Sequence, residues 1–255
     1  GFLGMEFASA CAARGIAVTV VDVDPPLQRL LGSFLSDAIV ARAQAASVEF
    51  VRADAPVTLV GDPVTGIEFA DRTLTADLVV TCAGDEPQTS WLDGAGIADR
   101  IGVGIDYRCA TTVPGIFAAG DVAYSRTASR RAPFWSNAVA QGKVAAASAL
   151  GVEPTCAPTD DYFWTEILGL SIKVVGPLPL QGDPTVLEGS VDDGSALLQW
   201  THDDGRTTIV AFGIKKPVGL LRRLAREWAR SYGRFRLPHG TTRRFREGVV
   251  QVWCR

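Results

Sequence analysis

The sequence predicts an α/β protein that ends in a smaller α+β domain. The chain begins with two glycines three residues apart, followed by a helical run of small residues, a buried strand and Asp22. Helix-like and strand-like runs alternate as far as about residue 150, and consecutive strand-like runs then precede an Arg-rich helix. Alternating helices and strands are typical of a parallel sheet covered by helices, whereas consecutive strands favour an antiparallel sheet.

The composition excludes several classes of protein. The chain has 255 residues and 47% hydrophobic content, which is enough to bury one large or two smaller cores. No apolar run is long enough to span a bilayer, and no signal peptide is recognisable. Five scattered cysteines without a C-x-x-C pair indicate reduced thiols and argue against a redox dithiol or a metal site. We therefore expect a cytoplasmic protein without a membrane segment or a bound metal.

The first element predicts a dinucleotide site. Gly1 and Gly4 have the spacing of the second and third glycines of a G-x-G-x-x-G turn. A helix over residues 5–14 and a strand over residues 16–21 follow, and Asp22 stands where a carboxylate would accept hydrogen bonds from both ribose hydroxyls of NAD. Such a carboxylate would repel the extra phosphate of NADP. The alternative is a structural glycine turn followed by an ordinary capping Asp.

The middle of the chain continues the alternation. Residues 27–46 have a helical pattern, and the next stretch contains short strand-like runs broken by Asp, Pro and Gly, which predicts a small antiparallel excursion. Residues 78–82 are then expected to form a buried strand that returns to the parallel sheet. The segment TTVPGIFAAGDVA predicts a turn at Pro114-Gly115, an apolar strand, and the pair Gly120-Asp121 at its end.

The last part of the chain predicts the second domain. The segment FWSNAVAQGKVAAASALG is an Ala-rich helix closed by Gly151, and the Pro-containing GVEPTCAPTD is a linker. Strand-like runs follow at residues 167–175, 185–188, 196–200 and 208–212, and an Arg-rich helix is predicted over residues 218–232.

Five segments together resemble a known family in their order and spacing. They are the N-terminal glycine turn, TADLVVTCAGDEPQTSWL, TTVPGIFAAGDVA, WSNAVAQGKVAA and DYFWTEILGLSIKVVG. The chain resembles the FAD-dependent pyridine-nucleotide oxidoreductases, in particular the putidaredoxin reductase-like ferredoxin reductases that serve oxygenases and monooxygenases. The similarity extends from Gly1 to about Pro217. TTVPGIFAAGDVA resembles the second flavin motif of that family.

The resemblance implies a Rossmann-like NAD-binding domain, the C-terminal part of an FAD-binding domain, and an α+β domain that covers the flavin. Residues 1–105 would form the NAD-binding domain without its first strand, and residues 106–150 the returning part of the FAD-binding domain. Residues 151–159 would be the linker, and residues 160–255 the C-terminal domain with a basic tail. On this basis we expect the N-terminal FAD segment and the first NAD strand to be missing from the sequence.

The resemblance also implies the roles of individual residues. Glu6 and Trp135 would be the catalytic positions, with Glu6 near the nicotinamide. The implied cofactor-binding residues are Gly1, Gly4, Asp22, Gly84, Gly120, Asp121, Trp135, Phe163 and Trp164. Asp121 would bind the polar chain of FAD, and the three aromatic residues would lie beside the isoalloxazine. Core packing for the aromatic residues and helix capping for Asp121 remain as alternatives.

The sequence departs from the family pattern at two places. Pro133 stands where relatives often carry an acidic residue, and residues 165–167 replace a usual Ser-Asp-Gln. These changes concern the residues that would position the nicotinamide and hydrogen-bond the edge of the flavin. The two histidines, His202 and His239, lie in polar contexts near predicted turns, and no general-base role is expected for them.

The implied activity is hydride transfer from NADH to FAD, followed by single-electron transfers to a small ferredoxin. A related flavin enzyme that reduces a quinone or another small molecule, and a non-catalytic remnant that acts as a binding protein, are the alternatives. Neither nucleic acid nor membrane is an expected partner.

The charge distribution indicates where a ferredoxin would dock. Residues 1–204 contain 12 Lys and Arg against 26 Asp and Glu, whereas residues 205–255 contain 13 against 2. Arg222, Arg226 and Arg230 form one stripe of the predicted last helix, opposite a packing side marked by Leu221, Leu224 and Trp228. This stripe is the candidate surface for an acidic ferredoxin. The alternatives are a solvated helix face and an intramolecular match to the acidic part of the chain.

Overall fold

The computed structural model describes residues 1–234, and within its last helix it describes side chains through Arg226. The helices are α1 (Phe2–Ala12), α2 (Gln28–Ala45), α3 (Trp135–Ala149) and α4 (Val218–Arg234). The strands are β1 (Val18–Asp22), β2 (Val48–Arg52), β3 (Thr58–Val60), β4 (Gly66–Phe69), β5 (Arg72–Thr75), β6 (Val103–Ile105), β7 (Ala123–Ser125), β8 (Arg130–Arg131), β9 (Tyr162–Ile167), β10 (Leu170–Val175), β11 (Thr185–Ser190), β12 (Ser195–Thr201) and β13 (Thr207–Phe212). Among the described helices, none is both long and apolar enough to cross a membrane.

The N-terminal unit is a helix–strand alternation around a parallel strand pair. Strands β1 and β2 pair in parallel, with Val18 opposite Val48 and Asp22 opposite Arg52. Helix α1 precedes β1 and α2 connects β1 to β2, as in the βαβ unit of α/β proteins. Helix α1 begins at Phe2, three residues earlier than the sequence pattern predicts. Strands β3, β4 and β5 form the small antiparallel excursion expected from the sequence.

Two strands expected in the middle of the chain are absent. Residues 78–82 have no regular structure, and the Leu78 side chain is 72% exposed, so the prediction of a buried strand is wrong. A buried parallel strand needs a hydrogen-bonding neighbour and cover on both faces, and within residues 1–234 these residues pair with no other strand. The expected apolar strand before Gly120 is reduced to one isolated bridge between Ala110 and Phe117. On either side of this bridge, the Thr111 N–H donates to the Ile116 carbonyl at 2.9 Å and the Ala118 N–H donates to the Cys109 carbonyl at 3.0 Å.

The C-terminal unit is a five-stranded antiparallel sheet in the order β11-β12-β13-β10-β9. The run at residues 167–175, expected as one strand, contains β10 and only the last residue of β9, a strand that the sequence pattern did not predict. The two strands form a hairpin because Leu168 and Gly169 adopt positive φ angles of 52° and 70°. Two positive φ angles in succession are the geometry of a tight two-residue hairpin turn. The predicted α/β architecture with a smaller α+β unit is confirmed.

Both faces of the five-stranded sheet are covered by helices. One face packs against α1 and α2 in a continuous apolar core that includes Met5, Leu31, Leu35, Ile172 and Leu198. Helix α4 covers the other face through Leu221, which is fully buried against Ile209 and Ala211. The N-terminal and C-terminal parts of the chain therefore share one core. The division into domains at residues 105, 150 and 160 stays a prediction.

A bend in α2 allows a C-terminal loop to cross the helix. Gly32 has a non-helical φ of 73°, which L-residues other than Gly rarely adopt. A Cβ atom at this position would lie 2.9 Å from the carbonyl oxygen of Leu180, whose own N–H donates to the Leu30 carbonyl at 3.0 Å. The sequence pattern of α2 does not show this bend, because its cause lies in a distant loop.

We expect Gly32→Ala to lower the free energy of unfolding by about 1–3 kcal/mol, since the new methyl group meets a backbone oxygen in a strained conformation. The matched control is Gly142→Ala in α3, where an added Cβ would meet nothing within 4 Å. That change should raise the free energy by about 0.5–1 kcal/mol, as expected for Gly to Ala within a helix. Urea denaturation measures both. Equal effects of the two substitutions would contradict the assignment of the bend to Gly32.

Candidate functional site

The first group of predicted site residues lies where α1 begins and β1 ends. The Gly1 nitrogen is 3.1 Å from Oδ2 of Asp22, and Oδ1 of Asp22 accepts a hydrogen bond from the Val23 N–H at 2.8 Å. The N-terminal end of a helix carries a partial positive charge and unpaired N–H groups. The structure thus holds the Asp22 carboxylate beside the turn in which the glycine fingerprint was recognised.

Gly4 connects this group to the segment before Gly84. A Cβ atom at Gly4 would lie 3.5 Å from Cβ of Cys82, which is an ordinary contact distance. Although residues 78–82 form no strand, the segment still approaches the first turn of α1. Gly84 itself has a φ of 106°, a conformation that glycine adopts without strain.

Arg131, which the sequence reasoning did not select, joins the segment after Gly84 to Asp121. The Arg131 guanidinium forms an ion pair with Asp85 and donates to the Asp85 carbonyl at 3.0 Å and to the Asp121 carbonyl at 3.1 Å. The Asp121 side chain is exposed and makes no hydrogen bond or ion pair within the described part of the chain. Its carboxylate is therefore available to a ligand.

The turn at Gly120 is held by a buried glutamine of α3. Gly120 has a φ of 86°, and its N–H donates to Oε1 of Gln141 at 2.7 Å. The carbonyl of Gln141 lies 3.5 Å from Sγ of Cys109, which is fully buried. Burial, with a smaller contribution from the Asp106 carboxylate, raises the pKa of Cys109 to about 11. Cys109 is thus a packing residue and not a reactive thiol.

The three predicted aromatic residues separate onto two faces of β9. Trp164 lies on the outer face, stacked on Tyr162 at 5.2 Å between ring centroids and edge-on to Trp135 at 5.8 Å. Phe163 points the opposite way, as alternation along a strand requires. It is 3% exposed and packs between Phe2 and Phe134. Core packing therefore describes Phe163, whereas Trp135 is 70% exposed.

Two polar residues in the first turn of α3 fix the position of Trp135. The Ser136 hydroxyl donates to the Tyr162 carbonyl. Asn137 donates to the Ala132 carbonyl at 3.0 Å and accepts from the Asp160 N–H at 2.8 Å. Both side chains are buried. These bonds attach the N-terminal end of α3 to β9, which explains why Trp135 and Trp164 meet.

Glu6 lies between the N-terminal unit and the C-terminal sheet. It is half-buried, and its Oε1 accepts a hydrogen bond from the hydroxyl of Thr165 at 2.6 Å. One turn later, the Ser9 hydroxyl accepts from the Leu168 N–H at 2.6 Å. The predicted catalytic residue thus faces β9, in the part of the chain where the sequence departs from the family pattern.

Sequence reasoning missed Arg131, Asn137 and Gln141, and it noted Thr165 only as part of a departure from the family pattern. For two of them a signal was present, because Asn137 and Gln141 are polar residues four apart on an otherwise Ala-rich helix, and residues at this spacing share a helix face. Polar groups on a buried face are expected to hold a backbone or a ligand. Arg131 carried no comparable local pattern.

The predicted basic stripe of α4 is partly engaged within the chain. Arg222 donates to both carboxylate oxygens of Asp160, at 2.9 and 2.7 Å, and its guanidinium lies 5.9 Å from the Tyr162 ring centroid. Arg226 is exposed. The side chains of Trp228 and Arg230, together with His239 and the rest of the basic tail beyond residue 234, lie outside the described residues.

Comparison with known proteins identifies the family. The family model for pyridine nucleotide-disulphide oxidoreductases matches residues 1–142. The chain belongs to the pyridine nucleotide-disulphide oxidoreductase family. The matched residues include the Gly1–Gly4 turn with Asp22, the pair Gly120-Asp121 and the first turn of α3. Its relatives include ferredoxin reductase components of dioxygenases, which is the subgroup that the sequence resemblance predicted.

Two curated relatives of this chain are reductase components of dioxygenases. The chain is 29% identical over 231 residues to the ferredoxin–NAD(+) reductase component of the 3-phenylpropionate/cinnamic acid dioxygenase of Photorhabdus laumondii, covering 88% of the chain and 58% of the relative. It is 31% identical over 234 residues to the ferredoxin reductase component of the chlorobenzene dioxygenase of Cupriavidus sp., covering 88% of the chain and 56% of the relative. The chain thus spans little more than half the length of these relatives.

Solved structures show the same fold. A ferredoxin reductase of Rhodopseudomonas palustris superposes with a TM-score of 0.73 at 27% identity, over 84% of the chain and 55% of that protein. The covalent putidaredoxin reductase–putidaredoxin complex gives a TM-score of 0.75 at 23% identity, over 90% of the chain and 56% of the matched protein. The latter similarity concerns the fold alone.

The burial of Cys109 generates a prediction about thiol reactivity. At pH 8 we expect a disulfide reagent to modify the exposed Cys82 and Cys156 rapidly. Cys109 should react only on unfolding, because about 0.1% of a thiol with that pKa is thiolate at this pH. Peptide mass spectrometry after timed labelling locates the modified thiols. Cys109→Ser is the control and should leave the rapid phase unchanged, whereas labelling of Cys109 in that phase would contradict its assignment as a packing residue.

Proposed function

We propose that this chain belongs to an NADH-dependent flavoprotein reductase that passes electrons through FAD to a small iron–sulfur ferredoxin. The observation that supports the proposal most strongly is the convergence of two helix N-termini on strand β9. Phe2, the first residue of α1, and Phe134, the residue before α3, both contact Phe163, at 5.4 and 5.1 Å between ring centroids. Helix N-termini favour negatively charged groups, and both cofactors carry diphosphates.

The residues at the start of α1 fit a dinucleotide. Asp22 presents a carboxylate next to the helix N-terminus, where it would accept hydrogen bonds from the ribose hydroxyls of NADH and repel the 2′-phosphate of NADPH. Gly1 and Gly4 leave space for a close approach of the diphosphate to the backbone. Glu6, on the face of α1 directed at β9, would lie on the nicotinamide side.

The residues around Asp121 fit the polar chain of FAD. The Asp121 carboxylate is exposed and unpaired among the described residues, and the preceding turn is fixed by Gln141 and Arg131. Trp135 and Trp164 would exclude water from one side of the ring system. When bound, NADH would supply a hydride and FAD would accept it and release the electrons singly. Phe163 would support this arrangement from the core and would not touch the ring.

The proposed acceptor and location follow from the relatives and from the charge of α4. Two relatives are ferredoxin reductase components of dioxygenases, and the C-terminal segment of this chain is strongly basic. Opposite charge would accelerate encounter with an acidic ferredoxin. A cytoplasmic location is part of the proposal because NADH is supplied there.

A second candidate function is reduction of a quinone or another small-molecule acceptor by the same flavin chemistry. One observation favours it: Arg222 of the proposed docking stripe is already paired with Asp160. This pairing leaves less positive charge for a protein partner than the sequence suggested.

We expect Asp22→Ala to weaken NADH binding about tenfold, since a charge-assisted contact to the ribose is lost. NADPH binding should weaken less or improve, because the repulsive carboxylate is gone. Asp37→Ala, an exposed position of α2, is the control for the same change in net charge and should leave both affinities unchanged. Fluorescence titration of each nucleotide measures the dissociation constants. Unchanged NADH affinity in Asp22→Ala would remove Asp22 from the site.

We expect Arg226→Glu to lower the association rate with an acidic [2Fe–2S] ferredoxin about fivefold at low ionic strength. The difference should shrink at high salt, because the interaction is screened. Lys143→Glu, on an exposed position of α3, carries the same charge change as a control. Stopped-flow mixing at two salt concentrations measures the rates. Equal slowing by both variants would mean that net charge acts without a local docking site, and no slowing by Arg226→Glu would favour a small-molecule acceptor.

A further inference from the structure

One face of α1 is attached to β9 and to the turn that follows it by three successive contacts. The contacting residues of α1 are spaced by four and three positions and therefore lie on one side of the helix. These residues are Phe2, Glu6 and Ser9, and their respective partners are Phe163, Thr165 and Leu168. Phe163 and Thr165 both point from the inner face of β9, so α1 runs along this strand.

The middle contact joins an acidic side chain to a fully buried hydroxyl. Thr165 is 0% exposed, and the only hydrogen bond of its hydroxyl within the described residues is the one to Oε1 of Glu6 at 2.6 Å. A distance of this length is typical of a hydroxyl that donates to a carboxylate. Because Thr is branched at Cβ, its hydroxyl occupies a narrow range of positions in a strand. The long Glu6 side chain is thereby fixed by a rigid donor.

We propose that Thr165 is a positioning residue for Glu6, and that through this bond the C-terminal sheet sets the orientation of the carboxylate at the dinucleotide site. The inference rests on the proposed function, in which the first turns of α1 bind NADH. Glu6 is two residues beyond the last glycine of the fingerprint, so the direction of its side chain decides which part of a bound nucleotide it meets. Thr165 itself contacts only the protein.

A purely structural role for the bond is the competing explanation. Hydrogen bonds across an interface can hold two elements together without orienting any functional group. Ser9 offers the comparison that separates the two roles, because its bond to Leu168 attaches the same helix to the same hairpin without involving Glu6. Loss of the Ser9 bond should loosen the interface and leave the Glu6 carboxylate in place.

The first experiment compares NADH affinities of the full chain and its variants by fluorescence titration. Thr165→Val removes the donor at nearly constant volume and should weaken binding about three- to tenfold. Thr165→Ser should retain the affinity within about twofold, because the hydroxyl is preserved. Ser9→Ala should also stay within about twofold. In a Glu6→Ala background, Thr165→Val should weaken binding no further.

Two results of this cycle would overturn the proposal. Equal weakening by Ser9→Ala and Thr165→Val would show that the bond only attaches α1 to the sheet. A further loss on adding Thr165→Val to Glu6→Ala would show that Thr165 acts by a route other than Glu6. Urea denaturation of every variant verifies that the affinities refer to folded protein.

The second experiment measures the orientation of Glu6 without any nucleotide. NMR of selectively labelled Glu6 should show one fixed side-chain conformation in the unmodified chain and in Thr165→Ser, and averaging among conformations in Thr165→Val. Averaging already present in the unmodified chain would overturn the positioning role. If the side chain is fixed as expected but the chain binds no NADH, the proposed function fails and the effect of Thr165 on Glu6 stands.

Discussion

The packing of α1 and α2 against the inner face of the five-stranded sheet is the constraint on which the rest of the structure depends. The apolar core between them is continuous from Met5 to Leu198 and contains no boundary between the N-terminal and C-terminal parts of the chain. The β9–β10 turn is held from both helices, since Leu168 donates to Ser9 and accepts from Nε of Arg42 at 2.9 Å. The candidate groups at α1 and at β9 are therefore placed relative to each other by one rigid body of side chains.

Strand β9 has two different tasks because its side chains alternate. Its outer residue Trp164 stacks on Tyr162 and meets Trp135 at the start of α3, whereas its inner residues Phe163 and Thr165 meet α1. A single strand thus lies between the two groups of candidate cofactor residues. A shift of this strand by one residue would exchange the two sets of side chains, so the register with β10 matters for both groups.

Elements whose stability comes from local pattern could be predicted from the sequence. Helices α2 and α3, strand β1 and strands β10 to β13 follow from apolar periodicity and from Gly and Pro at their ends. The wrong predictions concern segments whose conformation depends on contacts with distant parts of the chain. Residues 78–82 have the composition of a buried strand but no partner strand in the described chain. The division of β9 from β10 depends on a turn at Leu168-Gly169 that reads as part of one apolar run, and the bend at Gly32 depends on a loop nearly 150 residues away.

The candidate site also contains residues that the sequence predicts and residues that only the structure reveals. Gly120 and Asp121 can be read from the sequence because they are adjacent in one short motif, in which Gly120 adopts a φ of 86°. The residues that hold the candidate residues in place, such as Arg131 for Asp121 and Thr165 for Glu6, come from other elements and become visible only when the elements are packed. The excess of positive charge at the C-terminal end is a net count of charged residues, and it does not show which of them form ion pairs. Arg222 shows this directly, since it neutralises Asp160 at the start of the sheet unit and lies over Tyr162. Part of that charge asymmetry therefore stabilises the chain itself, by joining a basic helix to the acidic part that precedes it.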